Sequence, residues 1–197
     1  DLCFYISDHS NTNNHIIAAN EGSALSISIG YHLSTNKVPA IYLQNSGLGN
    51  LINPLLSLAD KDVYSIPMLL IIGWRGKPGV KDEPQHKKTG RVMIDMLKSM
   101  KIPYKIINKL NKVDKIKNII TDSVNRTKKI NSPVVLIIEK DTFEKYNLKK
   151  LAKLNYSLVR EEAINILMNH ISDKDIMGRS MCFQCGELYE YRKNNKQ

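Results

Sequence analysis

Short apolar runs alternate with amphipathic stretches over the first 140 residues of the chain. The apolar runs predict strands at residues 16–19, 39–43, 66–73, 104–107 and 133–140. Apolar residues at helical spacing predict helices over residues 21–33, 48–59, 86–100 and 113–129. Strands that are apolar throughout are buried on both faces, which is typical of a parallel sheet covered by helices. The pattern therefore predicts a doubly wound α/β fold with a mainly parallel sheet.

The alternation weakens after residue 140. The stretch DTFEKYNLKKLAKLNYS, residues 141–157, is charged and contains no strong strand. An amphipathic helix is then predicted to begin near Val159, in VREEAINILMNHI. Such a change is typical of a linker that leads into another domain. We therefore predict a first domain over residues 1–140, a linker over 141–157 and the beginning of a second α/β domain over 158–197.

Composition and charge exclude two classes of function. The chain has 197 residues and is 42% hydrophobic, which predicts a globular protein. Its longest apolar run, residues 66–74, is much shorter than the roughly 20 residues of a membrane helix. The net charge of +10 invites a nucleic-acid interpretation. However, the lysines of residues 105–130 alternate with Asn and Ile and no aromatic residue accompanies them, which favours solvated helix faces.

The cysteines and the first residues bear on location. Cys3, Cys182 and Cys185 are too few for a disulfide framework, which suits a reducing cytoplasm. The C-x-x-C of Cys182 and Cys185 lacks the four ligands of a structural zinc site, so no metal ligands are predicted. The stretch DLCFYISDHS has no initiating Met, basic region or cleavage site. We therefore expect a cytoplasmic protein without a secretory signal and with a truncated amino end.

Three polar loops follow predicted strands, at the edge where parallel sheets bind ligands. The first loop contains Asn20 and Glu21, which have two possible roles. Asn20 could cap the next helix while the negative charge of Glu21 is stabilised by the positive end of that helix, or Glu21 could have a chemical role. The second, QNSGLGN at 44–50, resembles a dinucleotide-binding turn but lacks the third glycine, since position 52 is Ile. The third, WRGKPGVKDEPQH at 74–86, is either a solvated surface loop or a functional one.

These loops carry a family resemblance. The stretches AANEGSALSISIGYHL, YLQNSGLGNLINPLLSL and IPMLLIIGWRGKPGVKDEPQH together resemble the pyrimidine-binding domain of the phosphonopyruvate and sulfopyruvate decarboxylases. These are thiamine-diphosphate enzymes. The resemblance extends to about residue 140 and resumes more faintly from Leu158. It implies the predicted α/β fold and a carboxy-lyase activity on a 2-oxo acid.

The resemblance implies a catalytic role for Glu21. The matching acid in the family hydrogen-bonds a ring nitrogen of the cofactor's aminopyrimidine and favours the tautomer that takes the proton from C2 of the thiazolium. Asn45, Ser46 and Gly47 are expected beside the aminopyrimidine, where glycine permits a close approach. The cap interpretation would instead leave Glu21 with no part in the chemistry.

The resemblance also places Asp82, Gln85 and His86 towards the reacting end of the cofactor. A substrate with a carboxylate and a second anionic group calls for cations and hydrogen-bond donors, so Arg75, Lys81 and His86 are candidate anion contacts. The alternative is that this is a surface loop whose charged side chains are solvated and have no functional role.

The sequence departs from the family at the cofactor's diphosphate. That group is held through Mg²⁺ by a Gly-Asp-Gly motif in a second domain, and no Gly-Asp-Gly occurs in this chain. Residues 158–197 resemble only the start of that domain, and MCFQCGELYE fits it loosely. We therefore expect the Mg²⁺ ligands in the missing part of that second domain, because the chain is either a fragment or one of two subunits. By itself the chain is expected to be inactive.

The sequence as a whole predicts a thiamine-diphosphate-dependent decarboxylase that converts phosphonopyruvate to phosphonoacetaldehyde and carbon dioxide in phosphonate biosynthesis. Sulfopyruvate is the alternative substrate. A non-catalytic basic α/β interaction module is the alternative from another class. The expected partners are the small 2-oxo acid and either further copies of the chain or a complementary diphosphate-domain subunit, with no nucleic acid and no membrane.

Overall fold

The computed structural model describes residues 2–11, 14–149 and 160–170. The chain divides into two compact units, Asp1–Lys150 and Leu151–Gln197. Within the second unit the described part is a helix, α6, Arg160–Asn169, which lies where the helix near Val159 is predicted. Cys182, Cys185 and the MCFQCGELYE stretch lie outside the described residues. The predicted domain and linker boundaries stay predictions.

The first unit is built on a four-stranded sheet. Its strands are β1, Ala40–Gln44, β2, Leu69–Gly73, β3, Tyr104–Ile107, and β4, Val134–Ile138. Their order is β1-β2-β4-β3, and every neighbouring pair is parallel. All five residues of β4 are buried, as expected for a strand with helices on both faces. The predicted doubly wound α/β fold is confirmed.

The helices of the first unit have these bounds: α1 Leu2–His9, α2 Glu21–Thr35, α3 Ile52–Pro54, α4 Pro84–Ser99 and α5 Val113–Ile130. The sequence pattern predicts α2, α4 and α5 to within a few residues, whereas α1 was not predicted. The single helix predicted over 48–59 is three short pieces, a 3-10 turn Asn45–Leu51, then α3, then a π turn Leu55–Ala59. Pro54 has no N–H to donate within a helix, which breaks the regular ladder there.

The strand predicted at residues 16–19 is wrong. The segment has no regular secondary structure, and its two largest side chains, Ile16 and Ile17, are 61% and 86% exposed. A cavity of about 700 Å³ is lined by this segment, α2 and β1. No strand in the described part of the chain pairs with the segment. Apolar side chains alone therefore do not make a strand, because the ladder needs a neighbour that exchanges backbone hydrogen bonds.

Two apolar clusters cover the faces of the sheet. The larger joins α2 and α4 to the sheet and includes Leu25, Leu70, Met93 and Leu97, each almost fully buried. The smaller lies on the other face and contains Leu69, Ile107, Leu136 and Ile138, with Ile116, Ile119 and Val124 of α5 packed against it. Burial of each such side chain stabilises the fold by roughly 1.5–3 kcal/mol. The sheet is thereby a rigid platform for its loops.

The parallel register aligns the carboxyl ends of the strands. Gln44 at the end of β1 lies opposite Gly73 at the end of β2, and Gly73 lies opposite Ile138 at the end of β4. The loops after β1 and β2 therefore leave the sheet side by side. Among the described residues no helix is both long and apolar enough to cross a membrane.

Candidate functional site

Glu21 is the first residue of α2, and its carboxylate is not the cap of that helix. Asn20 fills the cap, because its extended backbone lets its side-chain Oδ1 accept a hydrogen bond from the Ser23 amide at 2.9 Å. The Glu21 carboxylate instead reaches the 3-10 turn after β1, where Asn50 Nδ2 donates to its Oε2 at 2.8 Å. The two residues that the sequence offered jointly as a cap therefore have separate roles. Glu21 presents a carboxylate at the positive end of a helix.

Gly47 makes room for that carboxylate. A Cβ at position 47 would overlap Oε1, Cδ and Cγ of Glu21. The φ angle of Gly47 is not positive, so space rather than backbone conformation calls for glycine here. Gly49, two residues on, has open space at its Cβ position. Of the two loop glycines, Gly47 is therefore the one that closely approaches Glu21, whereas the predicted approach of the loop to an aminopyrimidine stays a prediction.

Gln44 links Ser46 to His86. Gln44 Nε2 donates to Ser46 Oγ at 2.7 Å and lies 3.4 Å from His86 Nδ1. If His86 is neutral and accepts at Nδ1, its hydrogen is on Nε2. Gln44 is not among the site residues predicted from the sequence. A polar residue that ends an otherwise apolar strand at the ligand-binding edge was the available indication.

Asn45 ties the second loop to the third. Its Nδ2 donates to the Arg75 carbonyl at 2.9 Å, and its Oδ1 accepts from the Arg75 backbone amide at 3.0 Å. The residue is 4% exposed. Both ends of its amide are therefore engaged with the backbone of a neighbouring strand end, as buried polar groups require. The structure places Asn45 as a brace beneath the site.

Asp82 anchors the third loop. Its carboxylate accepts from Arg75 Nε at 2.9 Å and from Arg75 Nη2 at 2.6 Å. It also accepts from the backbone amides of Gly76 at 2.7 Å and Glu83 at 2.8 Å. These donors, the Arg75 guanidinium first, hold the pKa of Asp82 well below its usual range, and the same hydrogen bond raises the pKa of Arg75. Arg75 and Asp82 thus satisfy each other within the loop.

Backbone contacts place the loop on α4. Gly76 has φ 68°, and a Cβ there would overlap the carbonyl oxygen of His86. A Cβ at Gly90 would overlap the carbonyl oxygens of Gly76 and Arg75. Trp74 Nε1 donates to the Gly90 carbonyl at 2.9 Å. The loop therefore lies directly against the first turns of α4 and brings His86 beside Gln44.

Lys81 and Gln85 of the third loop are exposed to solvent, as is Ser46 of the second loop. Within the described ranges, no ion pair involves Lys81. Lys77, by contrast, pairs with Glu139 at 2.6 Å and lies over the Trp74 ring at 5.5 Å. The same ranges contain no group of three side chains suited to a metal ion.

Comparison with protein families identifies the fold's relatives. Residues 1–102 match the family described as thiamine pyrophosphate enzyme, N-terminal TPP binding domain. The chain belongs to this family. The family match includes Glu21, the 3-10 turn and the whole of the third loop.

Two kinds of individual relative are similar to this family member. Phosphonopyruvate decarboxylase of Streptomyces viridochromogenes is 45% identical over 83 residues, which is 42% of this chain and 20% of that protein. The Streptomyces hygroscopicus protein of the same name is 45% identical over 82 residues, 42% of this chain and 20% of that protein. Sulfopyruvate decarboxylase subunit alpha of Methanocaldococcus jannaschii is 34% identical over 137 residues, 69% of this chain and 76% of that protein. The chain thus spans about a fifth of the Streptomyces relatives that it matches.

Proposed function

We propose that this chain supplies the aminopyrimidine-binding part of a thiamine-diphosphate-dependent 2-oxo acid decarboxylase. The observation that supports the proposal most directly is the Glu21 carboxylate, which starts α2 without capping it and is turned towards the 3-10 turn. A carboxyl group there has the chemistry to hydrogen-bond a ring nitrogen. Membership of the family supports the same cofactor.

The residues present fit one end of that cofactor. An aminopyrimidine needs a carboxyl partner and close access. Glu21, the first residue of α2, contacts the 3-10 turn that follows β1, and Ser46 lies in that turn at the carboxyl edge of the sheet. When bound, thiamine diphosphate supplies a thiazolium ring that accepts the electrons released as carbon dioxide leaves. The task of Glu21 is to hold and transfer a proton at its carboxyl oxygen. The diphosphate and Mg²⁺ are proposed to bind outside the residues described.

Phosphonopyruvate is the proposed substrate, with phosphonoacetaldehyde and carbon dioxide as products and a role in phosphonate biosynthesis. The Streptomyces relatives carry the name of this activity at 45% identity. Lys81 is exposed and His86 lies at the site, so both are proposed contacts of an anionic substrate group. A phosphonate that carries two negative charges gains more from such a pocket than a sulfonate does.

Sulfopyruvate is the second candidate substrate, and a specific observation favours it. The alignment with the Methanocaldococcus jannaschii subunit alpha covers 76% of that protein, against 20% for the Streptomyces proteins. A chain that corresponds to a subunit acts with a partner, so we propose either a complementary diphosphate-domain subunit or a homo-oligomer.

The test uses the complete enzyme, whether this chain is part of a longer polypeptide or pairs with a second subunit. The measurement is kcat/KM for phosphonopyruvate, sulfopyruvate and pyruvate, each with thiamine diphosphate and Mg²⁺. We expect phosphonopyruvate to give the highest value. A higher value for sulfopyruvate transfers the assignment to the second candidate. No turnover of any of the three, together with no cofactor binding by calorimetry, leaves the non-catalytic interaction module.

A further inference from the structure

We propose that Asn50 is a positioning residue for Glu21: with Gly47 it fixes the carboxyl so that Oε1 carries the exchangeable proton. The proposal rests on the proposed function for its catalytic consequence, whereas its geometric part stands on the structure alone. Asn50 is not among the site residues predicted from the sequence. It enters because its side chain is the hydrogen-bond donor to the Glu21 carboxylate.

The contact joins two elements that are distant in sequence. Asn50 belongs to the 3-10 turn after β1, and Glu21 begins α2, 29 residues earlier. The two backbones approach closely, since a Cβ at Gly22 would lie 3.9 Å from the Asn50 carbonyl oxygen. The 2.8 Å hydrogen bond therefore reports a defined packing of the turn against the helix start.

Gly47 supplies the other side of the clamp. The terminal torsion of a Glu side chain is broad, so one hydrogen bond alone does not select an orientation. Oε1, Cδ and Cγ of Glu21 occupy the space where a Cβ of residue 47 would lie. The carboxyl is therefore packed against the backbone of Gly47. The hydrogen bond from Asn50 then holds Oε2 on the Asn50 side, which leaves Oε1 on the Gly47 side. The two contacts together leave the carboxyl one orientation.

A side-chain amide is chemically suited to donate a hydrogen bond to the Glu21 carboxyl. The Asn50 NH₂ group donates hydrogen bonds and cannot accept them, so a proton on Oε2 would face the donor's own hydrogen. A neutral Glu21 therefore carries its proton on Oε1. The Asn50 hydrogen bond is compatible with both the neutral and the ionised form of Glu21. A lysine in its place would favour the ionised form through its positive charge. The carboxyl can thus lose and regain a proton without reorientation.

A geometric experiment tests the clamp without cofactor or turnover. Nuclear Overhauser effects between the Glu21 γ protons and the Gly47 α protons are measured in the whole chain, in Asn50→Ala and in Asn53→Ala. Asn53 is an exposed asparagine three residues along the same segment and serves as the matched control. We expect the cross-peak in the wild type and in Asn53→Ala, and its loss or marked weakening in Asn50→Ala. An undiminished cross-peak in Asn50→Ala overturns the proposal.

A kinetic experiment in the complete enzyme tests the consequence. Displacement of a catalytic group by about 1 Å can lower rates by about a hundredfold, so we expect Asn50→Ala to lower kcat by about that factor with little change in KM. Gly47→Ala should act in the same direction, because its new Cβ displaces the Glu21 side chain. Gly49→Ala, with open space at its Cβ position, is the control and should stay near wild type.

Partial rescue separates positioning from general disruption. Asn50→Gln keeps the amide donor and should recover part of the activity, whereas Asn50→Asp places a second carboxylate beside Glu21 and should not. If Asn50→Ala and Asn53→Ala have equal kcat, the catalytic consequence is wrong. If Glu21→Gln itself leaves turnover intact while the cross-peak behaves as expected, the proposed function fails and the geometric clamp stands.

Discussion

Two polar regions share the carboxyl edge of the sheet, and they differ in how their charges are satisfied. In the loop between β2 and α4, the Asp82 carboxylate receives hydrogen bonds from one guanidinium and two backbone amides, and its side chain is 7% exposed. At the start of α2, the Glu21 carboxylate has one donor, Asn50, among the described residues. The loop has the greater density of charge, yet its central ion pair is internal. The proposed chemical site is therefore distinguished by its unsatisfied hydrogen-bonding capacity rather than by its charge.

The difference changes how the loop is interpreted. The sequence offered Arg75 as an anion contact, and the structure shows its guanidinium bound to Asp82. Of the three candidate anion contacts in the loop, Lys81 and His86 form no ion pair among the described residues. The following predictions test whether the two regions are as separate in their effects as they are in their contacts.

The largest expected effect is that of Glu21→Gln on turnover. In the complete enzyme the change should lower kcat and C2 proton exchange by about 10²–10⁴-fold, because a proton-transferring carboxyl is lost. The thermal midpoint of unfolding should stay within a few degrees of wild type, since Asn20 still caps α2. Turnover within a factor of two of wild type would return Glu21 to an ordinary helix-start role. Steady-state kinetics and calorimetry supply the two measurements.

Asp82→Ala should produce the reverse profile, a loss of stability first. Breaking a fully buried ion pair costs about 3–5 kcal/mol, but water can solvate the 41% exposed Arg75 side chain, so we expect about 2 kcal/mol. The measurement is the free energy of unfolding in urea. Glu83→Ala is the matched control, because that neighbouring acid makes no side-chain cap hydrogen bond. An equal loss in both variants would contradict an anchoring role for Asp82.

The same anchor predicts a dependence of stability on pH. The pKa of Asp82 is depressed in the folded chain, so its contribution is fully present above the pKa of an unfolded aspartate, about 3.9. The contribution is lost as the pH falls below that value towards the folded pKa, because the unfolded state binds the proton more readily. The difference in unfolding free energy between wild type and Asp82→Asn should therefore stay constant from pH 6 to about 4 and shrink steadily from there to pH 2.5. Parallel curves would show that the carboxylate is not the source.

The smallest expected effect is on substrate preference. Lys81→Gln should lower the ratio of kcat/KM for phosphonopyruvate over pyruvate by about fivefold, as expected for the loss of an exposed charge contact. Stability should not change, because Lys81 forms no ion pair among the described residues. Arg75→Gln should also narrow the preference, but only together with a loss of stability, because Arg75 is bound to Asp82. A selective effect of Arg75→Gln without destabilisation would reverse the assignment of the two residues.

Periodicity was a good guide to the parts of the fold that are buried. The apolar runs at β2 and β4 and the spacing in α4 and α5 predicted those elements, because burial on both faces leaves a clear pattern. The prediction was wrong at residues 16–19, whose pairing depends on a neighbour and not on their own composition. It was also wrong to give a single helix over 48–59, because the segment is three short pieces, the second of which ends at Pro54.

Local sequence patterns predicted only part of the candidate site. Glu21 came from the family resemblance, since local sequence alone left it as a cap. The partners of Asn45 and Asp82 are set by where separate loops meet after folding, and no local pattern contains that information. The partners of Gln44 and Asn50 lie 42 and 29 positions away in sequence, so their contacts were not predictable either. Only the position of Gln44 at the end of β1 was a local indication.

The backbone contact between Gly76 and Gly90 has a consequence for how this sequence can vary. A glycine inside a helix costs about 1 kcal/mol relative to alanine, so Gly90 is a poor choice for α4 taken alone. It is retained in the fold because any side chain there would collide with carbonyl oxygens, which cannot rotate aside as a side chain can. Gly49, in the same chain and with open space around it, is under no such restriction. A library of random variants selected for folding would therefore retain glycine at position 90 in nearly every member and accept other residues at position 49.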